Sequence, residues 1–225
     1  MHFLPDPIIE YDFKNVYIPS DDSYLLIDYF KRNINQNKFD GIEIGKINNV
    51  LDLGTGTGII AILFQIIKKK FHNFNPNIYA SDISDDALNC ARINEKLNGF
   101  NHEITFIKSS LFSSFPIYLK NLFDIIVFNP PYLPSSSLID KKSIIDYSWD
   151  GGQKGNEIIL EFISKVKDFL NLNKKCYVYF ITSSRTDLVG IYNFIEKLAF
   201  KNKILEKRHI FFEDIILNRL IFNDF

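Results

Sequence analysis

Asn129-Pro130-Pro131-Tyr132 follows directly on the apolar run Phe123-Asp-Ile-Ile-Val-Phe128, so an amide side chain and a rigid turn stand where a strand ends. Taken alone, the four residues make an ordinary turn, because asparagine tolerates unusual backbone angles and two prolines stop a strand. Beside a ligand site they acquire a second use. The Asn129 side-chain oxygen and the Pro130 carbonyl each accept one N–H of a flat amino group, and the Tyr132 ring stacks on its plane. An amide or ring amine is a poor nucleophile, since its lone pair is spread into the neighbouring carbonyl or ring. Two acceptors that grip both hydrogens favour localisation of that pair. The chemistry is then group transfer to nitrogen, driven by positioning and electrostatics, with no lysine or histidine base required.

The second feature lies earlier, in Asp52-Leu-Gly-Thr-Gly-Thr-Gly58. Gly54, Gly56 and Gly58 let the backbone approach a ligand closely, and the helix start beyond them offers unpaired amide donors. The spacing departs from the dinucleotide fingerprint, which would need glycine at position 59 where this chain has Ile59. Asp52 puts a negative charge beside the loop, unfavourable near a pyrophosphate and favourable near an ammonium and a sulfonium. Asp82, at the end of the next strand, can accept both hydrogen bonds of a ribose diol. The alternative for Asp82 is a solvent-facing acid at a helix start. Together the two motifs read as methyl transfer from S-adenosylmethionine to a nitrogen.

Those residues need a sheet to hold them, and the chain supplies one. Asn49–Leu53, Asn77–Asp82, Glu103–Ile107, Phe123–Phe128 and Cys176–Thr182 read as strands, separated by helical patterns at Gly58–Ile67, Ser84–Asn98, Glu157–Leu170 and Thr186–Phe200. Lys203–His209 and Asp214–Phe222 read as a terminal antiparallel pair. Before them, Ser20-Asp-Asp-Ser23 opens an amphipathic helix with Ser20 as its capping-type residue, and a polar connection runs on to about Lys46. Strands alternating with helices predict an α/β fold with a mostly parallel sheet covered on both faces.

Composition frames this reading. The 225 residues, 46% apolar, suit one domain, 1–225, with an N-terminal helix and cofactor lid over 1–47 and a catalytic core over 48–225. Twenty-six basic against twenty-seven acidic residues leave no general footprint for a polyanion. Cys90 and Cys176 stand far apart without zinc-type spacing, so the expectation is two buried thiols and no intrinsic metal. With neither a signal segment nor a membrane-length apolar window, the expected location is cytoplasmic. The 22 phenylalanines leave room for some on a partner surface.

With these motifs in place, the chain resembles the class I S-adenosylmethionine-dependent methyltransferases, and among them the HemK-type enzymes that methylate the glutamine of the Gly-Gly-Gln motif in peptide-chain release factors. The resemblance covers nearly the whole chain. It implies a seven-stranded, mostly parallel Rossmann-like sheet with helices on both faces and a terminal antiparallel strand. Val16-Tyr-Ile-Pro-Ser-Asp-Asp-Ser-Tyr-Leu-Leu26 is similar to the family's opening segment, with Ser23 at the position that touches the cofactor. Trp149-Asp-Gly-Gly-Gln-Lys-Gly-Asn-Glu157 is similar to the segment that follows the catalytic loop. The family's Asp-Leu adenine contact corresponds here to Ser110-Leu111, a weaker hydrogen-bonding pair. The implied catalytic residues are Asn129, Pro130 and Tyr132. The implied cofactor set is Ser23, Asp52, Gly54, Thr55, Gly56, Gly58, Asp82, Ile83, Ser110, Leu111 and Asn129.

The short stretch ahead of Val50 leaves no space for the helical substrate-reading domain of bacterial members, and the compact form resembles the eukaryotic and archaeal branch. That branch implies a heterodimer with a small zinc-binding activator, for which Glu103–Ile107 could serve as an edge strand unless Ile104 and Phe106 simply face the chain's own core. Gly151-Gly-Gln153 repeats the tripeptide these enzymes modify, which we read as coincidence within the family segment. The alternatives are an adenine or cytosine amino-methyltransferase acting on nucleic acid, a protein lysine methyltransferase, and a non-catalytic cofactor-binding subunit. The first would need a basic surface. The second would present an ammonium without the flat amide that Asn129 and Tyr132 suit.

Overall fold

The computed structural model describes residues 4–10, 15–134 and 151–222, so Trp149 and Asp150 of the family-like segment lie outside the described residues. In chain order the elements are α1 (Asp21–Arg32), β1 (Lys38–Phe39), β2 (Ile42–Glu43), β3 (Asn49–Leu53), α2 (Ile59–Lys70), β4 (Asn77–Asp82) and α3 (Asp85–Leu97). They continue with β5 (Ile104–Lys108), β6 (Ile125–Phe128), α4 (Glu157–Val166), β7 (Tyr177–Ser183), α5 (Leu188–Lys197), β8 (Phe200–Ile210) and β9 (Glu213–Phe222).

Seven strands form one sheet in the order β5-β4-β3-β6-β7-β9-β8. β3 to β7 run parallel, and β9 is antiparallel to both β7 and β8. The side-chain alternation of the strands sorts the core into two layers. Val50, Ile125 and Val127 pack with α1 and α2 on one face, while Leu51, Leu53, Ile126 and Phe128 pack with α4 and α5 on the other. Burying a side chain such as Phe64 or Phe162 completely is worth about 1.5–3 kcal/mol, so the aromatic surplus goes largely into these layers. The expected α/β architecture is therefore the observed one.

Three local readings need correction. Ser20 stands at the start of α1, but its side chain makes no capping hydrogen bond. The helix expected over Thr186–Phe200 is shorter, because the Thr186 hydroxyl donates to the Tyr132 carbonyl at 3.0 Å, Asp187 caps the helix through the Gly190 N–H at 3.0 Å, and Ala199 turns out of helix at φ 60°. The polar connection before Lys46 holds the β1–β2 hairpin, whose turn residue Asp40 reaches Arg219 at 2.6 Å and the Tyr179 hydroxyl at 2.7 Å. β5 is an edge strand, and Ile104 and Phe106 on it pack against the chain's own core.

The chain leaves β3 toward β4 and β5 and returns to β6 on the other side of β3. Strand order reverses there, the place where ligands gather in open α/β sheets. Leu53 pairs in register with Phe128, so the glycine loop and the Asn-Pro-Pro-Tyr turn leave adjacent strand ends side by side.

Candidate active site

The glycine loop is built mainly from main chain. Thr55 N–H donates to the Ser81 carbonyl and Gly58 N–H to the Thr55 carbonyl, each at 2.8 Å. Gly58 precedes α2 at φ 83°, and a Cβ there would stand 2.9 Å from the Ala91 Cβ, so no side chain fits between the loop and α3. Gly56, at φ 54°, has open space where a Cβ would point.

Two carboxylates fasten this loop. Asp52 Oδ2 accepts the Thr55 hydroxyl at 2.6 Å and the Ala61 N–H at 3.1 Å. Only 3% of Asp52 is exposed, and that burial pushes its carboxyl up to about 7 against the counteracting bonds from Thr55 and Ala61. Sequence reasoning gave Asp52 a ligand-facing charge; the structure adds the internal task of joining the loop to the first turn of α2. Asp82 accepts the Gly56 N–H with Oδ2 at 3.0 Å and the Ser84 N–H with Oδ1 at 2.9 Å. Burial raises its carboxyl above the ordinary value, and the N–H bonds partly offset the rise. Ser84 also caps α3 by accepting the Ala87 N–H.

Both motifs open into a cavity of about 840 Å³. Of the expected cofactor set, Ser23, Asp52, Gly54, Thr55, Gly56, Asp82, Ile83, Ser110, Leu111 and Asn129 line it; Gly58 does not, although its neighbours Thr57 and Ile59 do. Ile83 and Ser110 are exposed at one end, and Leu111 holds a positive φ of 48°, a conformation that concentrates at ligand sites. Eight carboxylates and one lysine, Lys108, line the cavity among the described residues, and Lys108 is already paired with Asp85. Such a lining suits a cationic ligand with hydroxyl donors and opposes a polyphosphate.

At the other end the side chains converge from distant parts of the chain. Asn129 donates through Nδ2 to the Ser23 hydroxyl at 3.4 Å, which leaves its Oδ1 buried and without a protein partner. A buried acceptor left unpaired costs about 1–3 kcal/mol, and a ligand N–H would recover it. Pro130, Pro131 and Tyr132 line the same wall. The Tyr132 hydroxyl donates to Asp22 Oδ2 at 3.1 Å, where the Tyr17 hydroxyl also donates, at 2.9 Å. Ser23 N–H donates to Asp22 Oδ1 at 2.5 Å. Asp22 is 2% exposed, so one buried carboxylate ties residues 17–23 to the Asn-Pro-Pro-Tyr turn. Burial and the neighbouring carboxylate hold both tyrosine hydroxyls above their ordinary value and hence protonated.

Residues 151–157 brace the turn from behind. Gly151 N–H donates to the Leu133 carbonyl at 2.8 Å, and the Glu157 carboxylate accepts the Lys154 and Asn156 N–H groups at 3.1 Å each. Gln153 is exposed and does not line the cavity, in keeping with the reading of Gly151-Gly-Gln153 as coincidence.

Sequence reasoning missed Asp22, Tyr17 and Glu213. Asp22 was hidden by its place beside Asp21, where an acid at a helix start needs no further account. Its signal was the adjacency to Ser23. Glu213 and its neighbours Ile210 and Ile215 reach the cavity from the β8–β9 hairpin, and no local pattern marks them.

Comparison with known proteins agrees with this geometry. A family model described as a methyltransferase domain matches residues 44–206. MJ0928 of Methanocaldococcus jannaschii, provisionally named a protein N5-glutamine methyltransferase, is 33% identical over 90% of this chain and 89% of its own length. The eRF1 methyltransferase catalytic subunit mtq2 of Schizosaccharomyces pombe is 27% identical over 88% of this chain and 85% of its own. The release factor glutamine methyltransferase of Leptospira interrogans is 35% identical over 70% of this chain, which spans 48% of that longer protein. Among solved structures, the Mtq2–Trm112 complex of E. cuniculi has a chain that matches with a TM-score of 0.64 at 22% identity, covering 93% of this chain and 100% of that one. The chain belongs to the methyltransferase-domain family that includes the protein N5-glutamine methyltransferases.

Proposed function

We propose that this protein uses S-adenosylmethionine to methylate the side-chain amide nitrogen of the glutamine in the Gly-Gly-Gln motif of a peptide-chain release factor. The observation that carries the reading is Asn129, whose side-chain oxygen is buried, unpartnered and set in the cavity wall beside the glycine loop. An amide NH2 satisfies that oxygen with one hydrogen and the Pro130 carbonyl with the other.

When bound, S-adenosylmethionine would supply an electrophilic methyl on a sulfonium for transfer to the amide nitrogen, which would give up one of its N–H protons to solvent. The chain's own residues orient and exclude. Asp82 would hold the ribose hydroxyls, with Gly54, Thr55, Gly56 and Gly58 shaping the approach. Ile83, Ser110 and Leu111 would receive the adenine, and Ser23 and Asp52 the charged end. Tyr132, anchored through Asp22, fixes the plane of the substrate amide. Positioning of this kind carries most of a reaction in which no protein base need act in the rate-limiting step.

The relatives named for release-factor or N5-glutamine methylation support this choice over a nucleic-acid substrate, as does a cavity lined by eight carboxylates, which repels a phosphate backbone. The site residues, a small zinc-binding activator and a cytoplasmic setting complete the proposal. The test is transfer of labelled methyl to a release factor, with and without the candidate activator, followed by mapping of the label. Label on the factor that disappears when its motif glutamine becomes alanine supports the reading; label that persists, or that goes only to nucleic acid, sinks it.

A further inference from the structure

The β8–β9 hairpin turns in two residues, since Ile210 pairs with Glu213 and only Phe211 and Phe212 lie between them. Two-residue turns of this kind favour asparagine and glycine, because the backbone must adopt positive φ. Phe211 accepts a φ of 51° nonetheless, a strain that a bulky side chain meets only when something else repays it. Neither ring packs on the protein: Phe211 is 88% and Phe212 97% exposed. Turn chemistry, burial and strain all argue against phenylalanine here, so local folding does not explain the pair.

The position of the hairpin supplies a reason. Its base residues Ile210 and Glu213 line the cavity together with Tyr132. Arg208 fastens the hairpin to α1 through the Asp21 carbonyl at 3.4 Å and the Asp28 carboxylate at 2.7 Å. On the other strand, the Ser183 hydroxyl donates to Glu213 at 2.5 Å. The two rings are thus mounted on a braced arm whose base lines the same cavity as Pro130, Tyr132 and the carboxylates of Asp21 and Glu213.

We propose that Phe211 and Phe212 form a docking ledge for the substrate protein, gripping an apolar side chain next to the modified glutamine while Asp21 and Glu213 receive a basic one. The inference rests on the function proposed above and specifies its substrate: a protein loop, apolar and basic around its amide, rather than free glutamine. Continuity with the cavity mouth and the acidic rim fix the occupant. Exposed aromatics that insert into a partner are the usual anchors of protein recognition.

The experiment replaces the ledge with residues the turn prefers, Phe211→Asn with Phe212→Gly, so that folding is helped rather than harmed. Release-factor binding is measured in the presence of S-adenosylhomocysteine, alongside methyl-transfer kinetics, using the protein with its activator. The expected result is a rise of about tenfold or more in both the dissociation constant and KM for the release factor, with S-adenosylmethionine affinity and activator co-purification unchanged. Unchanged release-factor affinity overturns the ledge. So does loss of the activator, or of a self-dimer, on size exclusion, which would assign the rings to that contact instead. Absence of methyl transfer by the unaltered protein would count against the proposed function alone, because the binding comparison judges the ledge without turnover.

Discussion

The two ends of the cavity are held by different means. At the glycine-loop end, hydrogen bonds join near neighbours: Asp52 to Thr55 three residues on, and Asp82 to Gly56 across 26 residues of a strand-helix-strand unit. At the Asn-Pro-Pro-Tyr end, the bonds span 106 residues from Ser23 to Asn129 and 110 from Asp22 to Tyr132, and the hairpin arrives from the far end of the chain. The first end consists of backbone made rigid by sheet and helix; the second consists of side chains brought together by tertiary packing. A binding cradle common to many methyl transfers can be local, whereas the part that selects a substrate draws on every segment that can reach the mouth.

If the division holds, a change at one end leaves the other nearly intact. Asn129→Ala removes the acceptor proposed for the substrate amide, and turnover should fall by at least about a thousandfold while S-adenosylmethionine affinity measured by calorimetry stays within a few-fold. Full activity in that variant would break the comparison, and a parallel loss of cofactor binding would blur it. Gly58→Ala attacks the opposite end. It adds a Cβ at φ 83° and only 2.9 Å from the Ala91 Cβ, on a backbone that cannot yield cheaply. A loss of about 2–4 kcal/mol in unfolding free energy is expected, read from denaturant midpoints. Gly56→Ala is its control, since open space surrounds that Cβ: stability should drop by about 1 kcal/mol, while cofactor affinity suffers from a methyl group facing the ligand.

The same division explains what could be read from the chain alone. Asp52, Gly54, Gly56 and Asp82 were legible because strand, turn and next strand follow one another, and each residue's task is set by neighbours in sequence. Asn129 was legible because its turn closes a strand whose register with β3 is dictated by the parallel sheet. Asp22 was not, since its role depends on Tyr132 arriving more than a hundred residues later. Phe211 and Phe212 conflicted with their turn, yet a conflict with local rules becomes visible only once the strands flanking it are placed. Ser110 and Leu111 line the cavity, and the strained φ at Leu111 is a property of the folded loop that no sequence pattern carries.

The smallest effect tests whether Asp52 belongs wholly to the local end. Its carboxyl titrates near 3.8 in the unfolded chain and is pushed up to about 7 in the fold, so the folded protein holds the proton more tightly. Stability from this group is therefore fully present below about pH 3.8, declines as pH rises, and reaches its floor above about pH 7. Asp52→Asn keeps an oxygen to accept the Thr55 hydroxyl and the Ala61 N–H, and it removes the ion whose burial is unfavourable. Without cofactor, the variant should gain on the unaltered protein by about 1–2 kcal/mol at pH 8, with the advantage shrinking toward pH 5. Thermal melts across that range measure it. An advantage independent of pH would mean that Asp52 is not the titrating group. If S-adenosylmethionine affinity also falls in the variant, the buried charge serves the ligand as well as the loop, and one side chain answers to both neighbours.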